Sequence, residues 1–150
     1  MSFFEILLHL VFSFAATVGF CIVFNIPKKH MLFCGLIGVV SWGTYILLNG
    51  PAGPVVATFA AAVIISLLSR VFAIIRKCPF TILLIPGVIP LAPGSAIYYT
   101  AYYFVTNDMA KAGEYAFLTL KLAFAIVLGI IVVIAVPIHR KKTHKTTGDH

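Results

Sequence analysis

The segment from Ile85 to Ser95 reads IPGVIPLAPGS and places three prolines and two glycines inside an otherwise apolar stretch. Proline lacks the backbone N–H and clashes with the preceding turn, so one proline inside a helix costs about 3 kcal/mol. At membrane depth, non-helical backbone is tolerated only where it is buried in protein or lines a watery cavity. The segment therefore predicts an interrupted helix, with Pro86 and Gly87 at the start of the break.

The composition surrounding this segment is that of a membrane protein. Of 150 residues, 61% are hydrophobic and 10% are charged, and the mean hydropathy is +1.08. A soluble domain carries about 25% charged residues. We therefore expect an all-α, polytopic integral membrane protein whose length allows one membrane domain.

The charged residues and cysteines exclude several other classes. The net charge of +7 arises from short basic clusters beside apolar runs, which is typical of topology signals and disfavours nucleic-acid binding. The three cysteines show no CxxC spacing, so neither a metal site nor a cofactor is expected. The apolar runs also lack paired carboxylates and HExxH motifs, so we do not expect an enzyme.

Five apolar runs are long enough to cross a bilayer, and the fourth contains the proline-rich break. The basic clusters at Lys28–Lys29, Arg76–Lys77 and Arg140–Lys142 follow the first, third and fifth runs. The positive-inside rule then places the N-terminus outside and the C-terminus in the cytoplasm. The predicted domain covers residues 1–138, with spans at 3–24, 31–48, 54–75, 81–105 and 115–138, followed by a basic cytoplasmic tail at 139–150.

The residues after the break form a candidate binding site. If the chain resumes as a half-helix at SAIYYTAYYFV, its first amides, near Gly94 and Ser95, face the middle of the membrane. A helix N-terminus carries about half a positive charge and binds carboxylates or phosphates. Interrupted helices serve secondary transporters in this way, although a kinked structural helix without a ligand is the alternative. The candidate substrate-binding residues are Pro90, Pro93, Gly94, Ser95, Tyr98 and Lys121.

Lys121 and Tyr98 each have a second interpretation. An unpaired lysine inside a span costs about 2.5–3.5 kcal/mol, so Lys121 either faces a cavity or partner or snorkels to the outer interface. Tyr98 belongs to a tyrosine cluster that also suits an aromatic belt at the membrane surface.

Two stretches resemble the threonine/serine exporter (ThrE-like) family. IPGVIPLAPGSAIYY at 85–99 resembles the proline-rich broken helix in the C-terminal half of these proteins, and GFCIVFNIPKKHMLFCGLIGVVSWGTYILL at 19–48 resembles the first hairpin of that half. With the length and the five-span pattern, the resemblance covers nearly the whole chain and is closest to the short-subunit (YjjB-type) version.

The resemblance implies a multi-pass protein of the bacterial inner membrane that exports small carboxylate metabolites, either threonine and serine or dicarboxylates such as succinate. It also implies a separately encoded larger subunit, because the polar His/Arg/Glu-bearing motif of fused members has no counterpart here. Any acidic group for ion coupling is then expected from this partner. The alternative is a self-associating scaffold or channel-like membrane protein without its own substrate site.

Overall fold

The computed structural model describes residues 3–137, with side chains from residue 4 onward, and all secondary structure in this part is helical. The predicted cytoplasmic tail at 139–150 and the last residue of the predicted fifth span lie outside the described residues. The elements, in chain order, are α1 (Phe3–Val23), α2 (Lys28–Arg76), α3 (Phe80–Val88), a 3₁₀ turn (Ile89–Leu91), α4 (Gly94–Val105) and α5 (Met109–Ala135).

Helix α2 folds back on itself at Gly53 and forms a hairpin. Gly53 has φ 80° and ψ 165°, which is a backbone conformation almost confined to glycine. A straight helix of 49 residues would be about 73 Å long, yet Arg76 Nη2 lies 3.2 Å from the Lys29 carbonyl oxygen. We call residues 28–52 the first arm and residues 54–76 the second arm. The reversal falls between the predicted second and third spans.

The proline-rich segment is interrupted, as the sequence predicts, but the break is narrower than expected. The α-helix continues through Pro86 and Gly87. The backbone departs from α-helical geometry only at the 3₁₀ turn and at residues 92–93. Beyond the break α4 resumes, and the two helical parts are bent by 47° relative to each other. Because Pro90 and Pro93 both lack an N–H, the α-helical ladder cannot pass this point.

Three helices are long and apolar enough to cross a membrane, namely α1, α2 and α5, and the bent pair of α3 and α4 raises the number to four if it forms one span. This length and composition, together with the described helices, identify an all-helical membrane protein. Helix α5 begins six residues before the predicted fifth span because Asp108 caps it. The Lys111 backbone N–H donates to Asp108 Oδ1 at 3.2 Å and keeps the pKa of this carboxyl below its usual value.

The described helices are arranged around the two arms of α2. Helices α1 and α3 pack on α2, and α5 packs on α2 from another side, whereas α4 contacts α5 and no other described element. Small residues make the close contacts: the Ser13 hydroxyl donates to the Gly38 carbonyl at 3.1 Å, joining α1 to the first arm. Such small residues let membrane helices approach closely.

Gly129 is a point of close contact between α5 and the second arm. A Cβ built on Gly129 would lie 2.7 Å from the Ala62 Cβ and 3.0 Å from the Phe59 carbonyl oxygen, and backbone atoms cannot move aside as a flexible side chain can. We predict that Gly129→Ala lowers the free energy of unfolding by about 1–3 kcal/mol, measured by denaturation in detergent. Gly113→Ala on the same helix is the control, since its Cβ meets no atom within 4 Å. Equal stability of the two variants would contradict this packing.

Candidate functional site

The backbone of the break satisfies most of its own hydrogen bonds. The Ala92 N–H donates to the Ile89 carbonyl at 3.0 Å, and the Gly94 N–H donates to the Ala92 carbonyl at 2.7 Å. The first α-helical bond of α4 runs from the Ile97 N–H to the Pro93 carbonyl at 3.0 Å. Gly94 is therefore not a free donor, and the amides of Ser95 and Ala96 are the ones with no preceding helical turn to bond.

A small pocket opens beside the 3₁₀ turn, between α1 and the first arm. Its volume is about 180 Å³, below the range of about 300–1,000 Å³ that suits drug-sized ligands. It is therefore too small for a drug-sized ligand. The residues that line it are His9, Phe12, Ser13, Ala16, Trp42 and Pro90.

Aromatic and polar side chains meet at this pocket. The rings of His9 and Trp42 have centroids 6.4 Å apart, and Trp42 in turn stacks on Tyr45 at 5.1 Å. The Ser13 hydroxyl uses its proton on the Gly38 carbonyl, so only its lone pairs remain to accept a hydrogen bond. Of the candidate substrate-binding residues predicted from the sequence, Pro90 lines this pocket and also belongs to the break.

The sequence reasoning did not select His9, Ser13 or Trp42 for this site. His9 and Ser13 are four residues apart, as are Phe12 and Ala16, so all four lie on one face of α1. From this spacing, the sequence alone could have predicted that these four residues of α1 form one side of a pocket. The meeting of that face with Trp42 and Pro90 depends on the rotation of two helices and has no local signal in the sequence.

The structure divides the other candidate residues between the core and an open surface. Pro86 is fully buried, and a Cβ built on Gly87 would lie 3.0 Å from Ile37 Cγ2, so both belong to the packed core. Gly94 and Ser95 are exposed, and a Cβ on Gly94 would meet no atom within 4 Å. Pro93 is half-buried and directly precedes α4.

Tyr98 lies on the exposed side of α4 and contacts other tyrosines. Its ring stacks on Tyr102 at 6.3 Å and meets the edge of Tyr99 at 5.4 Å. Tyr99 and Tyr103 each contact Tyr115 of α5, at 5.2 and 5.5 Å. Tyr99 and Tyr103 therefore join the two helices, whereas Tyr98 contacts tyrosines of α4 and is 63% exposed.

Among the described residues, no contact joins Lys121 to the 3₁₀ turn. It lines a separate groove with Val55 and Val56, the second and third residues of the second arm after the reversal at Gly53. Its Nζ lies 4.5 Å from the centre of the Phe117 ring. Lys121 therefore lies beside the reversal at Gly53, away from the middle of the hairpin.

These features define a helical membrane protein with one interrupted helix and a small pocket beside the interruption. Residues 9–136 match the family model described as Threonine/Serine exporter, ThrE, and the chain belongs to this family. The chain is 33% identical over 125 residues to the probable threonine/serine exporter of Mycobacterium tuberculosis, and this match covers 78% of the chain. It spans only 24% of that relative. No solved structure matches the chain.

The open space at Gly94 leads to a stability prediction. We expect Gly94→Leu to change the free energy of unfolding by less than about 0.5 kcal/mol, because the added side chain meets no neighbour. Gly53→Leu is the comparison: its surroundings are equally open, but its φ of 80° makes a side chain strained, at about 1–3 kcal/mol. Thermal unfolding in detergent, followed by circular dichroism, measures both. A large loss at Gly94 would mean that the start of α4 is packed.

Proposed function

We propose that the chain is the small subunit of a two-component exporter of small carboxylate metabolites, which are threonine and serine or succinate-like dicarboxylates. Membership of the threonine/serine exporter family supports transport rather than catalysis. The observation that carries the proposed site is the interruption at residues 89–93, after which α4 begins with an exposed Gly94 and Ser95.

In this proposal the protein crosses the bacterial inner membrane five times, because each arm of α2 counts as one span. The 3.2 Å contact between Arg76 and the Lys29 carbonyl supports this topology, since it brings two basic clusters to the same end of the hairpin. The positive-inside rule makes that end cytoplasmic. The N-terminus then lies outside, and α4 runs outward from the break.

The proposed recognition uses backbone donors at the start of α4. The amides of Ser95 and Ala96 point along a helix of 12 residues toward the break, where the helix dipole favours negative charge. A substrate carboxylate accepts from these amides, and the exposed Ser95 hydroxyl offers one further donor. Pro90 and Pro93 keep this end of α4 free by preventing the ladder from continuing into it.

The pocket between α1 and the first arm is the proposed place for the rest of the substrate. The His9 ring can hydrogen-bond an amino, hydroxyl or second carboxyl group, and the Ser13 oxygen can accept from an amino or hydroxyl group. Trp42 and Pro90 supply apolar walls. The small volume disfavours larger solutes. Both threonine and succinate match this combination of one carboxylate and a short polar remainder.

The larger subunit is part of the proposal because the chain spans 24% of its curated relative. Carboxylates are scarce in the described membrane-spanning part, where Glu5 and Glu114 lie near helix ends. An acidic group for ion coupling is therefore assigned to the partner.

The first functional prediction uses the same variant as the stability test. Gly94→Leu is expected to lower efflux of the exported acid at least tenfold while the protein remains folded, because the side chain covers the start of α4. Gly113→Leu is the control, since its surroundings are equally open and it lies away from the break. Efflux is measured from cells that express the chain together with the larger subunit and are loaded with threonine or succinate. Normal efflux by Gly94→Leu would favour the scaffold alternative.

The second functional prediction concerns the partner. We expect cells that express this chain alone to show background efflux, and cells that express it with the larger subunit to export one of a panel of small acids. Co-purification of the two chains from detergent is the accompanying binding test. Full efflux from the single chain would contradict the two-component proposal.

A further inference from the structure

A second concavity lies between the second arm and α5, away from the 3₁₀ turn. Its volume is about 440 Å³. With the exception of Lys121, every residue that lines it has an apolar side chain, and it is open to the surroundings of the helices. The lining residues are Val55, Val56, Phe59, Lys121, Phe124, Ala125 and Leu128.

This groove has a direction, because the second arm and α5 run parallel. Lys121 and Val55 both line the groove, and further along both helices Gly129 lies against Phe59 and Ala62. The cation therefore lies at the end beside the hairpin reversal. From Lys121 to Leu128 the groove extends about 10 Å along α5, over apolar side chains only.

The Lys121 ammonium has no anionic partner among the described residues. Its Nζ lies over the Phe117 ring, one turn toward the start of α5. Glu114 shares a neighbouring concavity with Lys121 but is outside salt-bridge range, whereas Lys111 forms an ion pair with Asp108 at 3.2 Å. Lys121 thus keeps its donors available at the mouth of an apolar groove.

We propose that this groove binds an anionic phospholipid, with the phosphate on Lys121 and an acyl chain along Phe59, Phe124 and Leu128. The groove matches the charge distribution of such a lipid, because one cation lies at the end beside the hairpin reversal and apolar walls continue away from it. One lysine near anionic headgroups contributes about 1 kcal/mol of attraction. The lipid belongs to the leaflet that meets the loop at 106–108.

A phospholipid fits this groove better than the exported acid does. A small carboxylate satisfies Lys121 but leaves the apolar length beyond it empty, and the walls offer no second polar group. An acyl chain fills that length and needs no hydrogen bonds. This inference does not depend on the export proposal, because the groove shares no lining residue with the pocket at Pro90.

The test uses the purified full chain in detergent, with dioleoylphosphatidylglycerol and dioleoylphosphatidylcholine as probes. Native mass spectrometry should show preferential binding of phosphatidylglycerol, and Lys121→Met should weaken that binding about fivefold, the effect of one lysine near a membrane surface. Lys121→Arg should retain the preference. Lys111→Met is the control on the same helix and should also retain it, because Asp108 already engages that ammonium.

A second variant tests the acyl-chain part of the groove. Val56 is 53% exposed, so Val56→Trp fills the groove without overpacking the core, and it should weaken binding of both phospholipids. The proposal is overturned if Lys121→Met leaves the phosphatidylglycerol preference intact. It is also overturned if succinate or threonine alone competes away the bound lipid, since Lys121 would then belong to the cargo site.

Discussion

The structure depends on one constraint, which is that a backbone amide surrounded by hydrocarbon must find an acceptor within the protein. Three prolines within eight residues remove three amide donors, and the amides of Ala92 and Gly94 are satisfied by short-range bonds. The same prolines prevent α3 from continuing as a straight rod. Helix α4 therefore leaves at 47° and packs on α5 alone among the described elements.

The bend needs a rigid frame, and the hairpin of α2 provides it. Gly87 fits against Ile37 and Ile65, which come from different arms, so the segment just before the break is held by both of them. In the first half of the segment α3 packs against α1 and α2, whereas in the second half α4 has moved away to α5. The pocket at Pro90 lies where this coverage ends. The break thus creates the pocket by withdrawing a helix from its neighbours.

The sequence predicted those features that follow from local chemistry. Prolines at 86, 90 and 93 predicted the interruption, and the predicted spans at 31–48 and 54–75 leave between them Gly53, where the structure places the reversal. The continuation of the helix through Pro86 was not predicted, because burial against the two arms decides it rather than the proline itself. The contact between His9 and Trp42 could not be predicted from the sequence either, because it depends on how α1 is rotated against the first arm.

The two anion-binding positions of the proposals differ in a way that suits their different tasks. The start of α4 offers neutral amides and about half a unit of positive charge, so it can hold a carboxylate without binding it too tightly for release. Lys121 offers a full charge on a flexible stem beside the hairpin reversal, where a ligand that stays in the membrane can remain bound. A transporter must let its solute go, whereas a structural lipid has no such requirement. The weaker donor set at the interruption is therefore the better place for cargo, and the lysine is better suited to the lipid.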